Sequence, residues 1–445
     1  MQGVPATHRS PGRWRELSPA ARRYLLHLAL LTLSLSIVVL YYNLAVLALG
    51  YQRHFLGMLN TVTQAAAALL SLPLWFSVQR IGLRTALLAS AVLHAASVLL
   101  FAVWPDAAPL LASAALMGVA AVIAQVAAAP FMMRISSETT RDFLFSASAA
   151  VAIGLNGIGN LGAGFLSDAL GDVLAAAPDS GLVYRAAFAI AGCGALLSIA
   201  PLLLIRQPAR ENAAGRDDVR ETEPGRADPP DAASLHLVTV WSYRHRLVPE
   251  PLQLVLRNRA FLITLLIPPF LISWGAALLI PYLNLYFRER FGVDNRTLGA
   301  LFAAFDVATG VAALAGPALA ARWGKMRTVV LTRALGVPML LLLGMAGELW
   351  LAVAAALIRV VLFNMAAPLY DAYAMERTSE QARPFVIGLL GGAYSAGFLI
   401  APLMSTAVQE RYGFGPLFAA TTMLYAVAVL LTWWFFVRGA ASRAP

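Results

Sequence analysis

The chain has 445 residues, 60% of them apolar and 13% charged, with a mean hydropathy of +0.71 and a formal net charge of +10. That composition excludes an ordinary soluble domain, where about a quarter of residues are charged. The basic residues punctuate apolar runs instead of clustering among aromatics, which excludes a nucleic-acid-binding module.

The chain opens on an arm, residues 1–23, bearing Arg9, Arg13, Arg15, Arg22 and Arg23. The apolar stretch that follows, Tyr24 to Gly50, is too long for a signal-peptide core and long enough to span a bilayer, for which about 20 apolar residues suffice. Five more such segments follow, Phe55 to Val78, Thr85 to Trp104, Pro109 to Met133, Phe143 to Ser167 and Tyr184 to Ile205, giving a six-helix bundle over 24–205. The sixth holds the single cysteine, Cys193, which excludes an internal disulfide framework and reads as a small core residue. A polar middle, 206–258, comes next. Within it Gln207 to Ser234 is too poor in large apolar side chains to offset ordering entropy and reads as a flexible linker. Leu235 to Leu256 mixes Trp241 and Tyr243 with Arg244 and Arg246, as a surface-lying amphipathic helix or a partner-binding segment would. Six further segments begin at Phe261, Leu298, Val329, Leu351, Phe385 and Pro416 and build a second bundle over 259–438, with a tail at 439–445; Gly336 and Pro338 weaken the third of them. The expected fold is all-α and integral to the membrane, with twelve transmembrane helices in two pseudo-symmetric six-helix bundles.

Lys and Arg concentrate in cytoplasmic loops of membrane proteins. With the N-terminus inside, 25 of the 33 basic residues fall on the cytoplasmic side, and Arg333 and Arg359 lie within helices. Both termini are predicted to be cytoplasmic in a multi-pass protein of the cell membrane.

Shifting the sequence by 242 positions places Leu56-Gly57 on Leu298-Gly299, Arg80-Ile81-Gly82 on Arg322-Trp323-Gly324, the segment from Ser137 to Phe143 on that from Ser379 to Phe385, and Gly171 on Gly413. Agreement in four places at one offset indicates a duplication of a six-helix unit. Two such halves, a long central loop and basic loops after helices 2 and 8 resemble the major facilitator superfamily over nearly the whole chain. That family has a Gly-x-x-x-Asp-Arg-x-Gly-Arg-Lys loop after helix 2, matched here in part by Arg80, Gly82 and Arg84 and again by Arg322 and Gly324. The resemblance implies cytoplasmic gate loops at these positions, but Gln79 and Ala321 replace the family's acid. The bland alternative for Arg80 and Arg322 is positive-inside anchoring. Helix 5, with Gly154, Gly157, Gly159, Asn160, Gly162 and Gly164, is similar in part to the glycine-rich helix of the family's drug-and-proton antiporters; small residues at this spacing also serve close helix packing.

Charged groups at mid-membrane are costly and mark functional sites. Asp306 in helix 8 and Arg359 in helix 10 each sit about 12 Å below the outer boundary at 1.5 Å per residue, so they are placed to meet. The resemblance implies that helices 8 and 10 line the central cavity of the second half. Asp306 is then a proton-coupling candidate with Arg359 as its partner, or the two form a permanent structural ion pair. Gln64 occupies the position 242 residues before Asp306, so charge at this level belongs to the second half alone. Asn60 and Gln64, Asn156 and Asn160, and Tyr282 and Tyr286 are pairs four residues apart on shared helix faces, and each pair lines a cavity or bonds a neighbouring helix. Tyr41, Tyr42 and Asn43 resemble Tyr282, Leu283 and Asn284 and form either an outer gate or interfacial aromatics. His94 reads as a core residue and Asp371 as a partner for loop arginines at the cytoplasmic boundary.

The sequence contains no paired-histidine zinc motif, no phosphate loop and only one lysine, Lys325, so neither an enzyme nor a cofactor or metal requirement is expected. The expectation is a monomeric secondary active transporter that works by alternating access in the lipid bilayer on a small-molecule substrate, with proton-coupled export of amphipathic or lipophilic compounds the leading form. Uptake of a small polar solute by symport, translocation of lipid, and a membrane sensor that does not transport are the alternatives.

Overall fold

Residues 13–205, 259–378 and 383–438 are described by a computed structural model. The linker and amphipathic helix expected within 206–258 lie outside them. After one turn at Arg13–Glu16, the first half holds α1 (Pro19–Ala48), α2 (Arg53–Ile81), α3 (Leu83–Val103), α4 (Ala107–Ile135), α5 (Arg141–Leu174) and α6 (Gly181–Leu197, extended by the turn Ile199–Leu203). In the second half, α7 (Arg259–Leu279) passes through a 3-10 turn, Ile280–Tyr282, into the short helix Leu283–Phe291. The remaining helices are α8 (Asn295–Trp323), α9 (Lys325–Met345), α10 (Leu349–Glu376), α11 (Arg383–Tyr412) and α12 (Gly415–Thr432), the last ending in a π-helical stretch, Trp433–Arg438. No strand occurs among the described residues. The break in α7 falls at Pro281, which has no N–H for the helical ladder. By contrast α9 runs unbroken through Gly336 and Pro338, so the span that looked weakest in sequence is a full helix.

Eleven of these helical segments are long and apolar enough to cross a membrane, and α2 is the exception. Its 29 residues include Arg53, His54, Asn60, Thr61, Thr63 and Gln64. At 1.5 Å per residue it still exceeds the roughly 30 Å hydrocarbon core. Its polarity has a structural cause: α2 packs against α4 on one side and against α11 of the other half on the other.

The neighbour relations are duplicated. In the first half α1 packs on α5 and α6, α2 on α4, and α3 on α4 and α6; in the second, α7 packs on α11 and α12, α8 on α10, and α9 on α10 and α12. Every pairing recurs six helices later. Two seams join the halves, α2 against α11 and α5 against α8.

The repeated Arg-x-Gly has a backbone reason as well. Gly82 (φ 89°, ψ 150°) is the only residue between α2 and α3, and Gly324 (φ 83°, ψ 150°) the only one between α8 and α9. That region of backbone space is essentially closed to residues with a Cβ. Arg84 then donates to the carbonyls of Leu202 and Leu203 at the end of α6 (3.0 and 2.7 Å), whereas Arg80 and Arg322 are exposed. In the second copy Lys325 pairs with Glu376 at the end of α10. Cys193, expected in the core, is exposed on the outer surface of α6 near Ile190 and Leu197; a thiol is apolar enough to face lipid.

Three apolar cores show where the halves meet and where they part. One large core joins both, from Leu40, Leu56 and Phe188 in the first half to Leu298, Phe305 and Phe418 in the second. All of these lie toward the far face, the one opposite the chain termini. Toward the terminal face each half has its own core, one around Leu25, Phe131 and Leu144, the other around Val329, Leu369 and Phe436. The bundles are fused at one face and separate at the other.

Candidate functional site

The separation of the halves leaves a cavity of about 810 Å³, within the size range that holds small molecules. It begins beside Phe302 and Asp306, midway along α8, and extends to Met375 and Ile387, within about two turns of the ends of α10 and α11 at the terminal face. Its wall is unequal in origin. The first half contributes Val39, Gln125, Asn156 and Asn160; the rest comes from the second half and combines aromatic side chains with Asp306, Arg333, Arg359 and Asp371.

Asp306 is half-buried where α8 crosses α5. Asn156 Nδ2 lies 3.0 Å from each of its carboxylate oxygens, and Asn160 Nδ2 lies 2.8 Å from Oδ2. The two asparagines are one turn apart on α5, so a single helix face presents both amides. Between them Gly157 has no side chain, and a Cβ there would already touch that of Asp306 at 3.5 Å. The cluster is therefore a bond between halves, made by two neutral donors and one carboxylate at the inner end of the cavity.

Arg359 lines the same cavity at a similar depth but forms no ion pair with Asp306. It is 6% exposed, donates from Nη2 to the Tyr425 hydroxyl (3.2 Å) and lies over the rings of Phe363 and Tyr425, 5.1 and 5.8 Å from their centroids. The distance along helices 8 and 10 matched the pair; helix rotation did not. Arg333 on α9 also lines the cavity, 5% exposed, with its guanidinium 5.4 Å from the centre of the Tyr370 ring. Asp371, expected at the boundary among loop arginines, instead lines the cavity beside Tyr370. Both were legible as charges inside apolar segments, the signal that selected Arg359. Thr309 and Asn364 join across α8 and α10 by a 2.8 Å hydrogen bond at the cavity wall.

The other candidates lie elsewhere. Tyr282 is fully buried and donates to the carbonyl of Pro402 (3.3 Å), with Asn60 Nδ2 at 3.5 Å from its hydroxyl. Tyr286 donates to the carbonyl of Leu343 (2.7 Å) and packs edge-on against Phe414 and Phe418. Gln64 is partly buried on α2, outside the cavity wall. His94 is buried within α3.

The far face is closed by paired contacts. Asn43 and Asn284 bond each other (2.9 Å); Asn43 also donates to the carbonyl of Pro281, and Asn284 to that of Leu40 (2.9 Å). Leu40 stands to Pro281 as Asn43 stands to Asn284, an offset of 241 in each case, so the cluster sits on the pseudo-two-fold axis. Tyr41 donates to Ala163 of α5 much as Tyr282 donates to Pro402 of α11, which places these tyrosines in the core and not at the lipid interface. Around them, ion pairs cross between halves from Arg53 to Glu289 (2.5 Å), Arg296 to Asp168 (2.7 Å) and Arg288 to Asp179 (3.8 Å).

Two six-helix units repeated in sequence and in packing, closed at one face around a half-lined central cavity, match one known architecture. The family model of the Major Facilitator Superfamily matches residues 25–378 and 269–445. The chain belongs to that superfamily. It is a multi-pass membrane transporter of the superfamily's kind. A relative, Multidrug resistance protein MdtG of Yersinia enterocolitica serotype O:8 / biotype 1B (strain NCTC 13174 / 8081), is 29% identical over 177 residues. That match spans 38% of this chain and only 41% of the relative's length. Among solved structures, a D-xylose-proton symporter superposes with a TM-score of 0.69 at 14% identity, covering 93% of this chain and 97% of the symporter. A bacterial homologue of the human lysosomal transporter Spinster, inward-facing and occupied, gives 0.68 at 12% identity, covering 96% and 97% of the two chains. These two likenesses establish the superfamily fold and leave the substrate open.

Proposed function

We propose that this transporter exports amphipathic compounds by alternating access, driven by protons that act at Asp306. The carrying observation is the cluster of Asp306 with Asn156 and Asn160, which ties α5 to α8 at the inner end of the cavity. An ionised carboxylate accepts all three amide contacts. Once protonated, one oxygen becomes a donor and the amide facing it loses its acceptor. Proton binding thus weakens the tie between halves from within the cavity, and an equilibrium between two open faces shifts only by such a difference in interaction. The reading places both termini in the cytoplasm, as the loop charges predict, so that the open cavity admits compounds from inside. Amphipathic substrates are supported by a wall of mixed apolar, aromatic and charged groups and by the partial likeness to a multidrug resistance protein.

The test uses protein reconstituted in liposomes with an internal pH-sensitive dye and an imposed proton gradient. Addition of substrate should move protons in the wild type, while Asp306→Asn, with its elution profile and thermal unfolding intact, abolishes that movement and retains binding. Asn156→Ala should reduce proton-coupled flux severalfold by removing one donor of the tie. Unchanged proton movement in Asp306→Asn sinks the coupling assignment.

A further inference from the structure

Among the buried charged groups, one has little to satisfy it and faces the cavity. Arg333 is 5% exposed, and its Nε and Nη1 have no hydrogen-bond partner. None of the ion pairs among the described residues involves it. Buried guanidinium groups without partners are costly, because each N–H loses its water with nothing in exchange. Asp371 lines the same cavity and still makes no ion pair with it within 4.0 Å. What Arg333 does have is aromatic: the face of Tyr370, with Tyr394 and Tyr425 on the wall of the same cavity.

We propose that Arg333 is the headgroup subsite for an amphipathic anion, a carboxylate or phosphate on an aromatic or apolar body. This rests on the reading of the cavity as the transport path and names the substrate class. The argument is geometric. Arg333 is eight residues into α9 from the terminal face, about 12 Å at 1.5 Å per residue, and Asp306 is 17 residues from that end of α8, about 26 Å. The anion is therefore received about two and a half helical turns short of the proton-binding carboxylate. Between the two depths lie Tyr425 and Phe363, each 13 residues from the terminal-face end of its helix, with Phe305 beside Asp306 at the inner end, an apolar bed for the body of the molecule. Guanidinium presents two parallel N–H groups to a carboxylate or phosphate, a fit an ammonium does not offer. Arg359 is committed in part to Tyr425 and lies deeper, so it ranks second.

The experiment measures equilibrium binding to full-length protein in phosphatidylcholine nanodiscs without any gradient, using 1-naphthyl phosphate and 1-naphthylmethylammonium, which share one aromatic body. The phosphate should bind and the ammonium should bind at least tenfold more weakly. Arg333→Gln should weaken phosphate binding about tenfold or more, the loss expected for charge-assisted bonds; Arg333→Lys should restore part of it. Asp371→Asn, which removes a competing carboxylate, should tighten it. This last sign separates an anion site from a structural pair, because breaking a structural pair from either side lowers thermal stability and leaves affinity unchanged. Equal binding of both probes, or phosphate affinity unaltered by Arg333→Gln in well-folded protein, overturns the proposal. Phosphatidylglycerol added to the nanodiscs identifies the source of the anion: displacement of the probe supports a lipid-borne headgroup at this site, and no displacement supports a soluble compound. Because no gradient is applied, failure here leaves the proton assignment of Asp306 standing, and failure there leaves the anion site standing.

Discussion

At the α2–α11 seam Gly57 lies against Pro402 and Thr406, and the nearby polar contact is neutral, Asn60 with Tyr282. At the α5–α8 seam its counterpart Gly299 lies against Asn160 and Gly164, and the nearby polar contact carries a charge, Asp306 with two asparagines. Duplication preserved the close helix approach in both places. Chemistry was placed in only one. The position of Asp306 is held by Gln64 in the first half, so the two seams match in packing and only one of them presents a charge to the cavity.

The comparison is most easily broken at the glycines. A Cβ on Gly299 would fall 2.5 Å from the carbonyl oxygen of Asn160, a backbone atom, whereas one on Gly57 would meet the Thr406 hydroxyl, which can rotate, and then the carbonyl of Pro402 at 3.1 Å. Overpacking of this kind costs about 1–3 kcal/mol. Gly299→Ala is expected to shift the protein away from the state closed at the far face by tenfold or more, and Gly57→Ala by less. Maleimide labelling of Leu47→Cys in a Cys193→Ser background reads the shift. Equal effects would mean that the threonine is as rigid as the backbone.

A smaller effect is expected at the axis, where the halves should be equivalent. Asn43→Ala and Asn284→Ala each remove the side chain from a reciprocal pair, and each should cost the closed far face about 1–2 kcal/mol. The two variants should agree, and the double variant should cost less than the sum, since they share one bond. The same labelling assay checks both. A large difference between them would show that the axis is symmetric in geometry only.

The smallest effect tests an ordinary cap on the asymmetric seam. Asp294 precedes α8 and accepts from the Thr297 amide (2.8 Å); the Thr297 side chain first and this amide second hold its carboxyl below the usual carboxylate range. Its contribution is present above the ordinary carboxylate pKa, near 4, and is lost as pH falls through its depressed value. Asp294→Ala should therefore lower Tm slightly, by about 1 kcal/mol or less in stability, at pH 8 and pH 5 alike. The gap from wild type should close only below about pH 4. A gap that closes by pH 5 would contradict the assignment.

Much of this architecture could be read from residues in order. Apolar length separated the spans, and the one that fails a strict hydropathy test, α2, is the helix packed between α4 and α11 of the other half. The repeat of Leu56-Gly57 at Leu298-Gly299 marked the close crossings between the halves, and the repeat of Gly82 at Gly324 marked two single-residue connections whose backbone a Cβ does not tolerate. Asp306, Arg359, Asn156 and Asn160 were singled out because polar groups in apolar helices are rare. Their pairing was not legible. Depth along the membrane normal follows from counting residues, but partnership needs the rotation of each helix and the identity of its neighbour, and these put Asp306 against α5 and left Arg359 with Tyr425. The same limit hid the cavity-facing positions of Arg333 and Asp371.

The sequence by itself therefore determined the membrane class, the twelve helices and the twofold repeat, since each rests on local composition or on self-similarity. The tertiary structure alone decided which face is closed, which charges share a cavity and which amides hold Asp306. Those facts depend on how two bundles pack across seams between residues more than about a hundred positions apart, such as Asn156 and Asp306, and no periodicity along one chain encodes that meeting.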